Sequence, residues 1–418
     1  MTSIETRASW VIAFTALGVM SIAYGAPFVA VVALKEIAGE LGSARSVPAL
    51  AYSLAWFGAA VGGIAMGRVA ERVGVRWTVA FGAVMIGIGL VVSTGDSTWR
   101  LWVGHGLFIG LLGNAGINAP LYIYVSRWFD RRRGTALALI SSGQYVAGAV
   151  WPSLFERGIA TFGWRETMVI FAFVEALSVV PLALLILRTP PETVQHGALA
   201  SGGHGRLRVL GLPANMTLAL LSIAAFMCCV PMAMPQGHLV AFCTDLGITP
   251  SHGAAMLSVL LGCAFVSRQF WGWISDRIGG LRTVLAGSLC QIVAMVGFLL
   301  TRNEAALFAV ASFFGFGFSG MIPAYALAVR ELFPAAEAAW RVPTLLLFSG
   351  SGMAAGGWLA GALYDRFGFY GAAFASGLVF NLINLIIIGS LVLRRRQTLR
   401  PALAGLAGTS GDQAIKGW

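Results

Sequence analysis

Twelve long apolar stretches, spaced almost end to end, decide what this chain can fold into. A helix that crosses a bilayer needs about 20 mostly apolar residues. Stretches that meet this need lie at 10–34, 47–67, 78–95, 101–126, 135–157 and 166–187, then at 213–243, 253–274, 284–301, 305–329, 343–363 and 371–393. With 58% hydrophobic and only 11% charged residues, the chain lies far from soluble proteins, where roughly a quarter of residues are charged. The runs therefore predict an all-helical membrane protein of twelve transmembrane helices. The six-plus-six arrangement divides it into an N-terminal bundle at 1–187, a polar linker at 188–212, a C-terminal bundle at 213–393 and a tail at 394–418. Trp10 to Leu34 is too long for a signal-peptide core and lacks a small-residue cleavage site, so it reads as a retained first span.

The formal net charge of +11 is explained by placement. If both termini face the cytoplasm, the inner segments hold 20 of the 28 Lys and Arg residues, the outer loops 7, and Arg268 alone lies inside a span. The acids divide as 8 inner, 8 outer and Glu175 within a span. Such asymmetry in cations alone sets membrane orientation. It predicts cytoplasmic termini and linker in an inner (plasma) membrane, lipid as a partner, and no nucleic-acid partner. Cys228, Cys229, Cys243, Cys263 and Cys290 lie in apolar segments without metal-binding spacing and read as packing residues. His196 and His204 read as solvated linker residues. Without a nucleotide loop, a metal constellation or a Ser/His/Asp arrangement, no cofactor, metal or enzymatic activity is expected.

The chain also repeats itself. GRVAERVG, from Gly67, returns as GWISDRIG, from Gly272, 205 residues later, and Phe162-Gly163 returns as Phe367-Gly368 at the same offset. Two landmarks on one period imply a duplicated six-helix unit. Parallel repeats of this kind build transporters whose substrate site lies near the midplane, between two rocking halves. Gly58/Gly62, Gly63/Gly67, Gly352/Gly356 and Gly357/Gly361 fall at i, i+4 and permit close helix approach, either fixed or moving.

The paired motifs GRVAERVGVR and GWISDRIGGLR resemble the loop signature of the major facilitator superfamily. Each places an acid and an arginine at a helix end, Glu71 with Arg72 and Asp276 with Arg277, where charge pairs can latch one of two conformations. A narrower likeness runs through NAPLYIYVSRWFDRRRGTALALISSGQYVAGAVWP (118–152), FGWR (162–165), PFVAVVALKEI (27–37) and GCAFVSRQFWGWISDR (262–277). These resemble the monocarboxylate transporter family and the related oxalate:formate antiporter-like bacterial carriers. The resemblance implies alternating access and a small organic anion as substrate, with Arg268 matching that family's arginine in the eighth helix. The chain departs from the animal members at Phe28, where they carry lysine, and at Ala264, where they carry an acid. The acidic-glycine opening before the first helix is replaced by TRASW. The 344–363 helix lacks the second cation of oxalate:formate exchangers, which favours a monoanion.

The residues themselves nominate a site. Arg268 lies eight residues before Asp276, or about 12 Å along the helix, near the middle of the bilayer core. An intramembrane arginine faces a cavity or a counter-charge, so Arg268 is either an anion site or the structural partner of Glu175. Glu175 is itself a candidate proton carrier or a hydrogen-bonded structural acid. Pro231 and Pro235 are expected to break the seventh span and expose carbonyls beside Gln236 and His238, making both candidate substrate contacts. Asn114, Asn118 and Tyr122 form one polar stripe at i, i+4 and i+8. Gln144, Tyr145, Tyr24 and Tyr325 complete the candidate set, and His105 is left between site and packing roles. The expected function is secondary transport of a small monocarboxylate by a monomer, with a proton as the expected coupling ion. Transport of a neutral or hydrophobic solute, anion exchange and a transport-dead sensor are the alternatives.

Overall fold

The computed structural model describes residues 5–187 and 208–412. Eleven helical stretches are long and apolar enough to cross a membrane: Arg7–Val32, Ser46–Val73, Val75–Ser93, Thr98–Ser126, Trp164–Ile186, Ala214–Asp245, Pro250–Ile278, Gly280–Leu300, Glu304–Leu332, Trp340–Phe367 and Gly371–Gln397. Between the fourth and fifth of these lies a further crossing made of Arg133–Ser141 and Gly143–Phe162. Gln144, Glu156 and Arg157 dilute its hydropathy, and Ser141 and Ser142 turn their hydroxyls onto the Ala138 carbonyl at the break. Counted in chain order these are spans 1 to 12. The last helix runs on to Asp412, past the expected end at 393. Most of the expected linker, 188–207 with His196 and His204, lies outside the described residues. Its final part forms a two-stranded antiparallel hairpin, Arg208–Val209 with Leu212–Pro213, turned through Leu210 and Gly211 at positive φ.

The duplication is written into the backbone. Six glycines with positive φ stand in three pairs 205 residues apart: Gly42 (56°) with Gly247 (79°), Gly74 (97°) with Gly279 (82°), and Gly163 (87°) with Gly368 (78°). Only glycine adopts such angles without a Cβ penalty. Gly74 and Gly279 close the helices that carry Glu71/Arg72 and Asp276/Arg277, so the repeated motif is a helix end that must stop and turn. The acids and arginines sit in the last helical turns.

Several spans are interrupted where they approach the centre. Span 1 turns at Tyr24–Gly25 before Pro27, span 10 turns at Ser319–Gly320, and span 4 contains a π-helix at Gly104–Asn114. Span 7 behaves differently from the sequence expectation: Ala214–Asp245 is one continuous helix through Pro231 and Pro235. Span 11 packs closely along it, with Gly352 and Gly356 bringing the two backbones together at Phe226 and Val230. Between the halves, span 2 packs on span 11, span 5 on span 8, and span 1 on span 7.

Candidate functional site

A small central cavity opens where the halves meet. Tyr24, Phe28, Tyr52 and Trp56 line it from the first half, as do Gln144 and Tyr145, with Gln236 and Leu261 facing them from the second. The rings lie close, with Phe28 and Tyr52 centroids 6.4 Å apart and Tyr24 and Trp56 5.9 Å apart. Four of the nominated residues, Tyr24, Gln144, Tyr145 and Gln236, are thus brought together. Asn118 joins them through Tyr24, whose hydroxyl accepts from its side-chain amide at 2.6 Å. Gln236 donates to Met232 O of its own helix at 3.0 Å.

Arg268 stands beside this cavity. Its guanidinium carbon is 5.2 Å from the centroid of Tyr145, a lining residue, and Tyr122 lies within its electrostatic reach. It forms no ion pair with Glu175. That acid belongs to span 6, which packs on span 3 away from the seam between the halves, and neither of its fully buried oxygens has a hydrogen-bond partner. Both structural expectations for Glu175, as a partner of Arg268 and as a hydrogen-bonded acid, are therefore corrected.

Other nominated residues are drawn elsewhere. Tyr325 is buried and donates to Asn384 Oδ1 at 2.6 Å, within a network of Ser288, Gln291, Asn381 and Asn384 that binds spans 9, 10 and 12. His105 uses Nδ1 on Ser93 and Leu101 inside the first half. Glu71 pairs with Arg127 at 3.8 Å, and Arg277 stacks on Trp273 at 3.4 Å, each within its own half. Asp276 and Arg72 are exposed.

His238 has a role the sequence did not suggest. Its Nε2 lies 2.8 Å from the Gly357 carbonyl, so this nitrogen carries the proton, and Nδ1 accepts from the Tyr370 hydroxyl at 3.1 Å. Tyr370 Oη in turn accepts from Arg45 at 3.3 Å. Burial pushes the Tyr370 phenol above its usual pKa, which keeps it a donor. With both ring nitrogens engaged, His238 is a strut beneath a seal, in place of the expected broken-helix site.

The seal lies at the face away from the termini. Arg45, at the start of span 2, grips Asp245 at the end of span 7 through two bonds of 2.5 and 2.8 Å, and Lys35 reaches the same carboxylate at 3.0 Å. Asp365 of span 11 accepts from the backbone N–H groups of Arg45 and Ser46 at 2.8 and 2.9 Å, capping span 2 from across the seam. The Arg45 guanidinium also lies 3.7 Å from the Tyr364 ring centroid. Below the seal Gly357 and Gly361 admit span 2, and a Cβ at Gly361 would stand 2.9 Å from Ser46 Cα. Sequence reasoning missed this cluster because each charge looked like an ordinary loop residue. It likewise did not single out Tyr52 and Trp56, which line the cavity.

Two six-helix halves around a central cavity, sealed by ion pairs at one face, define a multi-pass membrane transporter. The sequence profile of the Major Facilitator Superfamily matches residues 10–339 and 221–414, and the chain belongs to that family. It is 23% identical over 348 residues to the MFS-type transporter pynF of Aspergillus niger, covering 79% of this chain and 78% of that one. It is 25% identical over 355 residues to Monocarboxylate transporter 13 of Rattus norvegicus, covering 82% and 80%. Among solved structures, a bacterial homolog of the human lysosomal transporter Spinster, in an inward-facing and occupied conformation, superposes with a TM-score of 0.72 at 16% identity. The match covers 95% of this chain and 98% of that one.

Proposed function

We propose that the chain is a secondary carrier of a small organic monoanion, a carboxylate, working by alternating access as a monomer in the inner membrane with both termini cytoplasmic. The observation that carries the reading is Arg268: a half-buried cation within a span, without an acidic partner among the described residues, beside a cavity-lining tyrosine. A guanidinium offers a carboxylate two parallel hydrogen bonds. The resemblance to monocarboxylate transporters supports the same substrate class. The halves, 1–187 and 213–393, are the units that rock, joined by the 188–212 linker. A proton is the coupling ion of this reading.

The aromatic lining favours a second reading, a neutral hydrophobic solute. Arg268 separates the two. Arg268→Ala should abolish both binding and uptake of carboxylates while the protein still reaches the membrane, and Arg268→Lys should recover little because an ammonium lacks the planar fork. Unimpaired uptake in Arg268→Ala would remove the anion reading. Orientation is tested separately: a phosphatase fused after Gly203 should stay inactive in a bacterial host.

A further inference from the structure

The central cavity has a small side compartment within the first half, with room for a group about the size of one water and bounded by Tyr24, Pro27, Ala55, Trp56, Ala59 and Asn114. Tyr24, Pro27 and Trp56 line both spaces, so the two adjoin one another. Two polar atoms on this wall lack a hydrogen bond of good geometry within the protein: the indole N–H of Trp56, which lies near the Tyr52 hydroxyl, and the side-chain carbonyl Oδ1 of Asn114. Asn114 is only 2% exposed. An unpaired buried donor and acceptor each cost the full desolvation of that group, so their presence together is expensive unless something bonds them.

Both residues stand where the backbone is irregular or closely packed. Asn114 ends the π-helix of span 4, a rare geometry that recurs at functional sites. Gly58 lets span 2 close onto that widened helix, since a Cβ there would stand 2.7 Å from Leu111 N. Trp56, two residues earlier, is thereby held beside span 4.

We propose that this compartment receives a hydroxyl group of the transported anion, an inference that rests on the carboxylate reading above. A hydroxyl can accept from Trp56 Nε1–H and donate to Asn114 Oδ1 at once. A second carboxylate has no proton for the Asn114 carbonyl and would face its negative end. An ammonium cannot accept from the indole. The rings of Tyr24 and Tyr52, with centroids 5.9 and 6.4 Å from that of Trp56, suit a flat apolar body between the two polar ends. The substrate class is therefore a monocarboxylate with an apolar, ring-bearing body and a hydroxyl remote from the carboxylate.

The test measures binding of 3-(4-hydroxyphenyl)propanoate and 3-phenylpropanoate, which differ by one hydroxyl, to the purified full chain by calorimetry. The native protein should bind the hydroxylated acid about tenfold more tightly, because a site built for a hydroxyl strands its own groups against the analogue. Trp56→Phe and Asn114→Leu should each bring the ratio of the two affinities towards one, the ratio rather than either affinity being the readout. Arg268→Ala should weaken both acids alike. Equal affinities in the native protein, or a preference that survives both variants, overturns the hydroxyl compartment while Arg268-dependent binding keeps the anion reading. A hydroxyl preference that persists with binding indifferent to Arg268→Ala supports the compartment and removes the anion reading. Binding of neither acid overturns both.

Discussion

The two faces of the molecule differ in whether any of their ion pairs tie one half to the other. At the face away from the termini, Lys35 and Arg45 of the first half are spent on Asp245, Asp365 and Tyr370 of the second. At the terminal face the pairs seen are Glu71 with Arg127, Glu331 with Arg395 and Glu337 with Arg341, each within one half. Ties across the seam select a conformation, whereas ties within a half move with it and select nothing. The structure is accordingly the state sealed at the non-terminal face, and the repeated acid-arginine motifs, Glu71/Arg72 and Asp276/Arg277, are not the residues that seal it. If they latch at all, they do so in another state.

The most damaging way to break this contrast is Arg45→Ala. It removes a bidentate ion pair, a bond to Tyr370 and the stacking on Tyr364 together. Arg45 and Asp245 side chains are 15% and 22% exposed, so the loss should be roughly 2 kcal/mol, a shift of about thirtyfold towards opening. A cysteine placed at Ser258, whose hydroxyl meets Ser153 across the seam at 3.0 Å, would report it by thiol labelling in a background lacking the five native cysteines. Unchanged labelling would show that apolar packing alone closes this face.

Asp365→Ala should have a smaller effect on the same assay. It strips the cap from two backbone N–H groups at the start of span 2, worth about 1 kcal/mol. The Asp365→Asn side chain keeps one acceptor and should fall between the variant and the native protein.

Tyr370→Phe breaks the link between Arg45 and His238 but leaves the Asp245 pair. Labelling should rise by less than in Asp365→Ala, about threefold, because the two hydrogen bonds lost are long, 3.3 Å from Arg45 and 3.1 Å to His238. A rise as large as that of Arg45→Ala would mean that the strut, rather than the ion pair, carries the seal.

Glu71→Ala sharpens the comparison from the other side. Its pair with Arg127 is long and exposed, and such pairs contribute close to nothing. Labelling at Ser258 and ligand affinity should stay at native values, while uptake slows severalfold if Glu71 acts in the opposite state. Parallel loss of affinity and uptake would place Glu71 in ligand binding instead.

Much of this was legible in the chain, for identifiable reasons. Span length and the 205-residue repeat act locally, so the helices and the pairing of Gly74 with Gly279 could be read directly; the third glycine pair, Gly42 with Gly247, carried the same signal unread. Arg268 was conspicuous because charge inside an apolar run is rare. Partners were not legible. Tyr325 and Tyr24 interrupt their spans alike, yet one bonds Asn384 inside a half and the other lines the cavity. Pro231 and Pro235 promised a break, yet span 7 runs on as one helix, and Glu175 meets neither Arg268 nor a hydrogen-bond partner.

The sequence by itself determined a twelve-helix, twice-repeated membrane chain, because bilayer thickness and backbone hydrogen bonding leave an apolar run of that length one choice of structure. Tertiary structure alone decided which face is sealed and which side chains meet. Arg45, Asp245 and Asp365 are separated by 200 and 120 residues, and only the packing of span 2 against spans 7 and 11 brings them within hydrogen-bonding distance. A short-range interaction between distant residues leaves no periodic trace in the chain.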